Sequence, residues 1–244
     1  MSNELLFYAV VLIANIFQGI TGFAGTVLAM PASLFLVGYG VAKPVLNVFG
    51  FFSGIYVFAG NRSNVDTKVL TKILLIMGMG VAGGILIKSL VDIHARWLYI
   101  VLGIFVSAVA CYGLFAKKKE KRTGSPVQNL LDGILLLSAG IIHGIFVCGG
   151  PLVITYLTNR LPDKTKFRAT ISTVWIVFNG VIMITDILSG AFTAPVIKEL
   201  CIATPFLLGG MYAGSVLVQK MDQSFFMKLT YVLLLVSGIS LLVK

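Results

Sequence analysis

Gln18-Gly19-Ile20-Thr21-Gly22-Phe23-Ala24-Gly25-Thr26, closed by Pro31, lies inside a hydrophobic run from Leu5 to Val37. An unbroken helix of that length overshoots a bilayer core of about 30 Å, which needs only about 20 residues. The three glycines at its middle mark a break, because glycine costs roughly 1 kcal/mol against alanine in a helix interior. A second stretch of the same character follows half a chain later: Gly140-Ile141-Ile142-His143-Gly144, then Cys148-Gly149-Gly150-Pro151. Two broken apolar segments at corresponding places in two halves point to the binding site of a secondary transporter.

The rest of the chain supplies the membrane. Of 244 residues, 58% are hydrophobic and 11% charged, with a mean hydropathy of +0.99. Soluble domains carry about 25% charged residues. The fold class expected is all-α, polytopic and multi-pass, in the cell membrane. The formal charge of +10 does not indicate nucleic acid, since the basic residues sit in short loops between apolar runs, where they set orientation. Cys111, Cys148 and Cys201 have neither metal nor redox spacing and read as small hydrophobes. Met1-Ser2-Asn3-Glu4 lacks a basic n-region, so the first apolar segment is expected to be retained. No metal-ligand cluster, phosphate loop or pair of membrane carboxylates appears, so neither a cofactor, a metal nor an enzyme activity is expected.

Each half has the same order. Helical pieces at Leu5 to Gln18 and Val27 to Val37 flank the first break, and spans follow at Val41 to Ala59, Val69 to Leu90 and Ala95 to Ala116. The basic linker from Lys117 to about residue 128 is expected to be cytoplasmic, dividing a first repeat (1–116) from a second (129–244). There, Leu130 to Cys148 leads into the second break, and Leu152 to Thr158 is too short to cross. A polar loop from Asn159 to Arg168 and spans at Ala169 to Leu188, Val196 to Val218 and Phe225 to Val243 complete the repeat. Gly22 and its flanks pair with Gly144, and Lys43 to Asn47 with Arg168 to Ser172.

Charge decides whether the breaks turn back or cross. If each turns back, 14 of the 19 basic residues fall inside and 5 outside; if each crosses, the split is 10 to 9. Cytoplasmic loops are the Lys/Arg-rich ones. The first arrangement is therefore expected: per repeat, one re-entrant or broken hairpin plus three spanning helices, the repeats inverted, both termini outside.

Irregular backbone is tolerated in hydrocarbon only inside protein or beside water. The two breaks are thus expected to line one midplane cavity, with helix N-termini near Thr26 and Leu152 offering free N–H groups to an anion. Gly22, Gly25, Gly144, Gly149 and Gly150 would let it approach, beside Cys148. Thr21, Thr26, Gln18 and His143 would add donors. The alternative is that these glycines serve only helix packing. His143 either meets the anion as imidazolium, carries a proton, or is neutral and bonded to a carbonyl. Asn47, Ser172, Thr173 and Asn179 either face the cavity or bond a neighbouring helix. Lys43 and Arg168 either draw anions to the two mouths or anchor at the interface. The linker reads as a topology signal and a contact for anionic membrane lipid. A coupling proton or cation is left open, as is assembly into a homo-oligomer.

At these residues the chain resembles the sulfite exporter TauE/SafE family, whose repeats each carry a G-x-x-G-x-G-G motif followed by proline. The copies here are Gly19 to Thr26 with Pro31, and Gly144 to Pro151. Ala24 and Thr26 dilute the first copy, and His143 and Cys148 mark the second. The resemblance implies transport of sulfite, sulfonates or related anions, usually export, without ATP. A passive anion channel, a transporter of another small organic anion, an intramembrane enzyme and a scaffold are the other readings.

Overall fold

The computed structural model describes residues 2–90, 100, 103–104, 107–108, 110–111, 114–115, 126–147 and 149–243. Most of the span expected from Ala95 to Ala116, nearly all of the basic linker and Cys148 lie outside them. Among the described residues there are nine α-helices and no strand: α1 Ser2–Thr21, α2 Ala24–Val37, α3 Tyr39–Ala59, α4 Thr67–Leu90, α5 Pro126–Phe146, α6 Gly150–Arg160, α7 Lys164–Leu188, α8 Ala194–Gln219 and α9 Gln223–Val243. All but α2 and α6 are long and apolar enough to cross a membrane. With 14 and 11 residues, those two reach roughly 21 and 16 Å at 1.5 Å per residue. Leu75, Met79, Ile184, Leu208 and Tyr212 point outward from spanning helices, as lipid contact requires.

The helices outrun the sequence expectation at several ends, and two of these extensions bear on the site. Gly19 and Thr21 remain helical, so the first break shrinks to Gly22-Phe23. The polar loop before α7 also shrinks, because Asp163 caps the helix by accepting from the amides of Thr165 (3.0 Å) and Lys166 (2.9 Å). Arg168 therefore sits on α7.

The chain forms two compact units, Met1–Leu70 with Asp163–Phe226, and Thr71–Pro162 with Met227–Lys244; each draws on both sequence halves. In the first unit α3 and α7 run antiparallel. Lys43 meets Asp186, Asn47 meets Asn179, and Gly54 meets Ser172. α1 and α8 run parallel, from the Glu4–Lys198 ion pair (2.8 Å) through the Tyr8–Phe206 ring stack (5.3 Å) to Gly19 on Gly214. Lys164, opening α7, bonds carbonyls at the end of α8, and Gln18 near the end of α1 bonds Ser53 near the end of α3. So α1, α3 and α8 point one way and α7 the other, and α2 must run back between α1 and α3. Phe23, Phe167 and Phe226 pack edge to face beneath this hairpin, with centroids 6.3 and 5.8 Å apart.

In the second unit α4 and α5 run parallel, from Lys72 near Asp132 (3.9 Å) to Gly84 near Gly144. α6 returns along α5, since Arg160 at its end bonds Asp132 near the start of α5. Arg160 and Lys72 also both stand over the Tyr156 ring, at 5.9 and 5.8 Å. Both units thus hold a two-helix hairpin whose first arm packs, through small residues, on a parallel helix.

Adjacent glycines on α4 test this packing. A Cβ on Gly84 would lie 3.0 Å from the Ile141 carbonyl carbon, whereas one on Gly83 meets nothing within 4 Å. Gly84→Ala is expected to destabilise by roughly 1–3 kcal/mol through overpacking. Gly83→Ala should be neutral or stabilising by up to about 1 kcal/mol. Thermal unfolding in detergent reads the contrast; equal effects would contradict the packing.

Candidate functional site

The first break is built almost entirely by side chains of the α1 end. Gly22 closes α1 with its amide on the Gln18 carbonyl (2.7 Å) and turns the chain at φ +82°, a conformation side chains resist. Thr21 Oγ1 accepts from the amides of Phe23 (3.3 Å) and Ala24 (3.2 Å) while donating to the Phe17 carbonyl (2.7 Å). Gln18 Oε1 accepts from the Gly25 amide (2.8 Å), and its Nε2 donates to Ser53 Oγ (2.9 Å). Two of the first amides of α2, which a helix start leaves without partners, are thereby capped from within. Gln18 and Thr21, expected to offer donors to a solute, donate here to Ser53 and to the Phe17 carbonyl and brace the turn.

The other polar residues of this unit group on α2, α3 and α7. Asn47 Nδ2 donates to the Asn179 carbonyl (3.1 Å), and the Thr26 hydroxyl approaches the Leu46 carbonyl (3.4 Å). Ser172 and Thr173 hydroxyls turn back onto carbonyls of α7 itself, at 2.7 and 2.9 Å.

The second break is built differently. Val147 follows α5 at φ +57°, held by its amide on the His143 carbonyl (2.8 Å). Gly22 and Val147 stand at the same spacing, 125 residues, as Gly19 and Gly144, so both repeats place a left-handed residue there. A β-branched residue in that region is strained. α6 then starts at Gly150 with Pro151 in its first turn and no side-chain cap. Gly149 lies so close to α5 that a Cβ would be 2.8 Å from His143 Cβ. Gly144 packs on the α4 backbone, and His143 is buried. The expected site residues therefore fall into two groups, one in each unit.

Two cations that sequence reasoning left at membrane mouths are buried in the first unit. Lys43 is 6% exposed and paired with Asp186, itself 5% exposed. Arg168 is 8% exposed; its Nη2 donates to the Gly19 carbonyl (2.7 Å), and its Nε has no partner. Among the described residues no carboxylate pairs with it. The sequence signal was present: Arg168 stands 125 residues after Lys43, but the position matching Asp186 is Asn61, which is neutral. The charge one repeat cancels, the other keeps.

A helical protein with seven helices long and apolar enough to cross a membrane among its described residues, and two shorter ones following breaks, is a polytopic membrane protein. The chain belongs to the sulfite exporter TauE/SafE family, whose profile matches residues 7–241. It is a multi-pass transporter of the cell membrane. It is similar to a protein described as probable inner membrane transporter protein TsaS, from Comamonas testosteroni, with 25% identity over 186 residues, 74% of each chain. No solved structure matches it significantly.

Two substitutions probe these arrangements. At Gly22 a Cβ would lie 3.1 Å from Ile171 Cγ2 as well as at positive φ; Gly22→Ala is expected to destabilise by roughly 1–2 kcal/mol. Asp186→Asn strands the buried Lys43 ammonium and should destabilise by about 3–5 kcal/mol. Adding Lys43→Met should recover most of that loss in a thermal-unfolding double-mutant cycle; additive losses would contradict the pairing.

Proposed function

We propose that the protein is a secondary transporter of a small sulfur oxyanion, sulfite or an organosulfonate, working by alternating access without ATP. The observation that carries this reading is Arg168. A guanidinium taken out of water without a counter-ion is costly. Here its Nη2 rests on a neutral carbonyl, that of Gly19 at the first break. A planar fork of N–H donors matches an oxyanion, and the bond is strengthened by charge. A bound sulfite or sulfonate would replace the carbonyl with a true counter-ion. In the other unit, the start of α6 at Gly149 and Gly150 has no side-chain cap, and its amides and helix dipole would attract an anion in their own right.

The transport cycle needs an element that two states can share. The hairpin α1–α2 fits, because α2 begins beside the middle of α3, where Thr26 lies against Leu46 and Gly50. It then returns toward the start of α3, as a re-entrant hairpin does. The antiparallel run of α3 and α7, which are counterparts in the two repeats, supports inverted repeats. A hairpin released from Arg168 by the anion and reset by its departure would link binding to movement.

Flux of labelled sulfite into proteoliposomes tests the proposal. Arg168→Gln is expected to weaken apparent affinity by about 100-fold, the scale of losing one side of a buried charged bond. Arg168→Lys should retain part of it. Unaltered sulfite flux in a folded Arg168→Gln protein would overturn the assignment.

A further inference from the structure

We propose that Tyr56 selects the transported anion: its hydroxyl leaves Ser215 and takes an oxygen of the anion held by Arg168. The step rests on the transport reading and deepens its anion site.

Four helices of the first unit meet where α1 ends. Ser53 and Tyr56 stand three residues apart, on one side of α3. Ser53 accepts from the Gln18 amide (2.9 Å), and the Tyr56 hydroxyl lies 3.3 Å from Ser215 Oγ on α8. Ser215 adjoins Gly19, where a Cβ would lie 3.2 Å from the Ser215 amide nitrogen. The Gly19 carbonyl in turn holds Arg168 Nη2 (2.7 Å). Tyr56 is also within electrostatic reach of that guanidinium. Of the Arg168 nitrogens, Nη2 is bonded and only Nε is both unpartnered and sealed, so Nη1 faces open space.

The hydroxyl protons can be assigned. A serine hydroxyl has a single proton to donate. That of Ser215 goes to the Tyr212 carbonyl (2.8 Å), which makes Tyr56 the donor in the contact with Ser215. At 3.3 Å this bond is long against the roughly 2.7–2.8 Å of a good O–H···O bond, and its acceptor is neutral. An oxyanion is the stronger acceptor because its charge assists the bond. Tyr56 is 41% exposed, so its ring is not enclosed where it now lies.

Counting oxygens gives the selectivity. The guanidinium fork takes two acceptor oxygens side by side. A carboxylate has only those two. Sulfite and a sulfonate carry a third oxygen on sulfur, which needs a donor of its own. The phenol supplies one without adding a second positive charge to the pocket. A site built to bond that oxygen favours anions that possess it.

The test is labelled sulfite flux into proteoliposomes, with acetate as the carboxylate competitor. Tyr56→Phe keeps the ring and loses only the hydroxyl. It is expected to raise the half-saturating sulfite concentration about tenfold, the scale of one hydrogen bond to a charged group, and to leave the acetate inhibition constant unchanged. Ser215→Ala removes the resting contact and should leave sulfite affinity unchanged or improve it by up to about threefold, since the competent position of Tyr56 becomes more populated. Unaltered sulfite affinity in Tyr56→Phe would overturn the proposal. So would a loss shared equally by acetate, or a loss in Ser215→Ala as large as in Tyr56→Phe, which would mark a strut between α3 and α8. Arg168→Gln separates the two readings. Sulfite flux that depends on Arg168 but not on Tyr56 removes the selectivity role and leaves the anion site, whereas flux indifferent to Arg168 removes both.

Discussion

The contact between Arg168 and the Gly19 carbonyl is the constraint on which the structure turns. Within a membrane protein a buried charge is either cancelled or used. Lys43, at the matching position of the other repeat, is cancelled by Asp186. Arg168 is held only by a backbone oxygen at the point where α1 ends, so its charge stays available while its position is fixed. The hairpin that carries Gly19 is therefore tied to α7 by a bond that, on the proposed reading, a transported anion would replace.

Around that contact the polar side chains at the end of α1 are already bonded. Thr21 and Gln18 cap the start of α2, and Gln18 also reaches α3 through Ser53. Backbone polar groups in lipid demand such partners. Glycines do the remaining work of closeness. Gly19 lies on Gly214 in one unit, and Gly140 and Gly144 lie on Gly80 and Gly84 in the other. In both units the hairpin's first arm packs in parallel on the middle spanning helix of the opposite sequence half, α8 for α1 and α4 for α5. This exchange explains why each unit is discontinuous in sequence.

The helical membrane class, five of the seven long helices among the described residues and the two short ones could be read from composition and apolar run length; α1 and α5 read as arms of broken hairpins, yet each is long enough to cross. The breaks were legible because glycine and proline interrupt runs too long for one crossing. Their inner construction was not. Nothing local distinguishes a Thr21 that caps from a Thr21 that binds, since both uses need the same hydroxyl. Gly144 likewise reads the same whether it meets a solute or the α4 backbone. Arg168 looked like a loop residue because the polar stretch from Asn159 hid the cap at Asp163, which starts α7 early and carries the guanidinium inward. Only the comparison of Asp186 with Asn61 across the repeats signals that one cation lacks its partner.

Selenite, the heavier analogue of sulfite, offers the most direct measurement, because selenium can be located in a crystal by its anomalous scattering. A selenium peak within hydrogen-bond reach of the Arg168 guanidinium, with the Gly19 contact opened, is the predicted result. Selenite bound elsewhere in the protein, with Arg168 still resting on Gly19, would contradict the assignment of this charge to the transported anion.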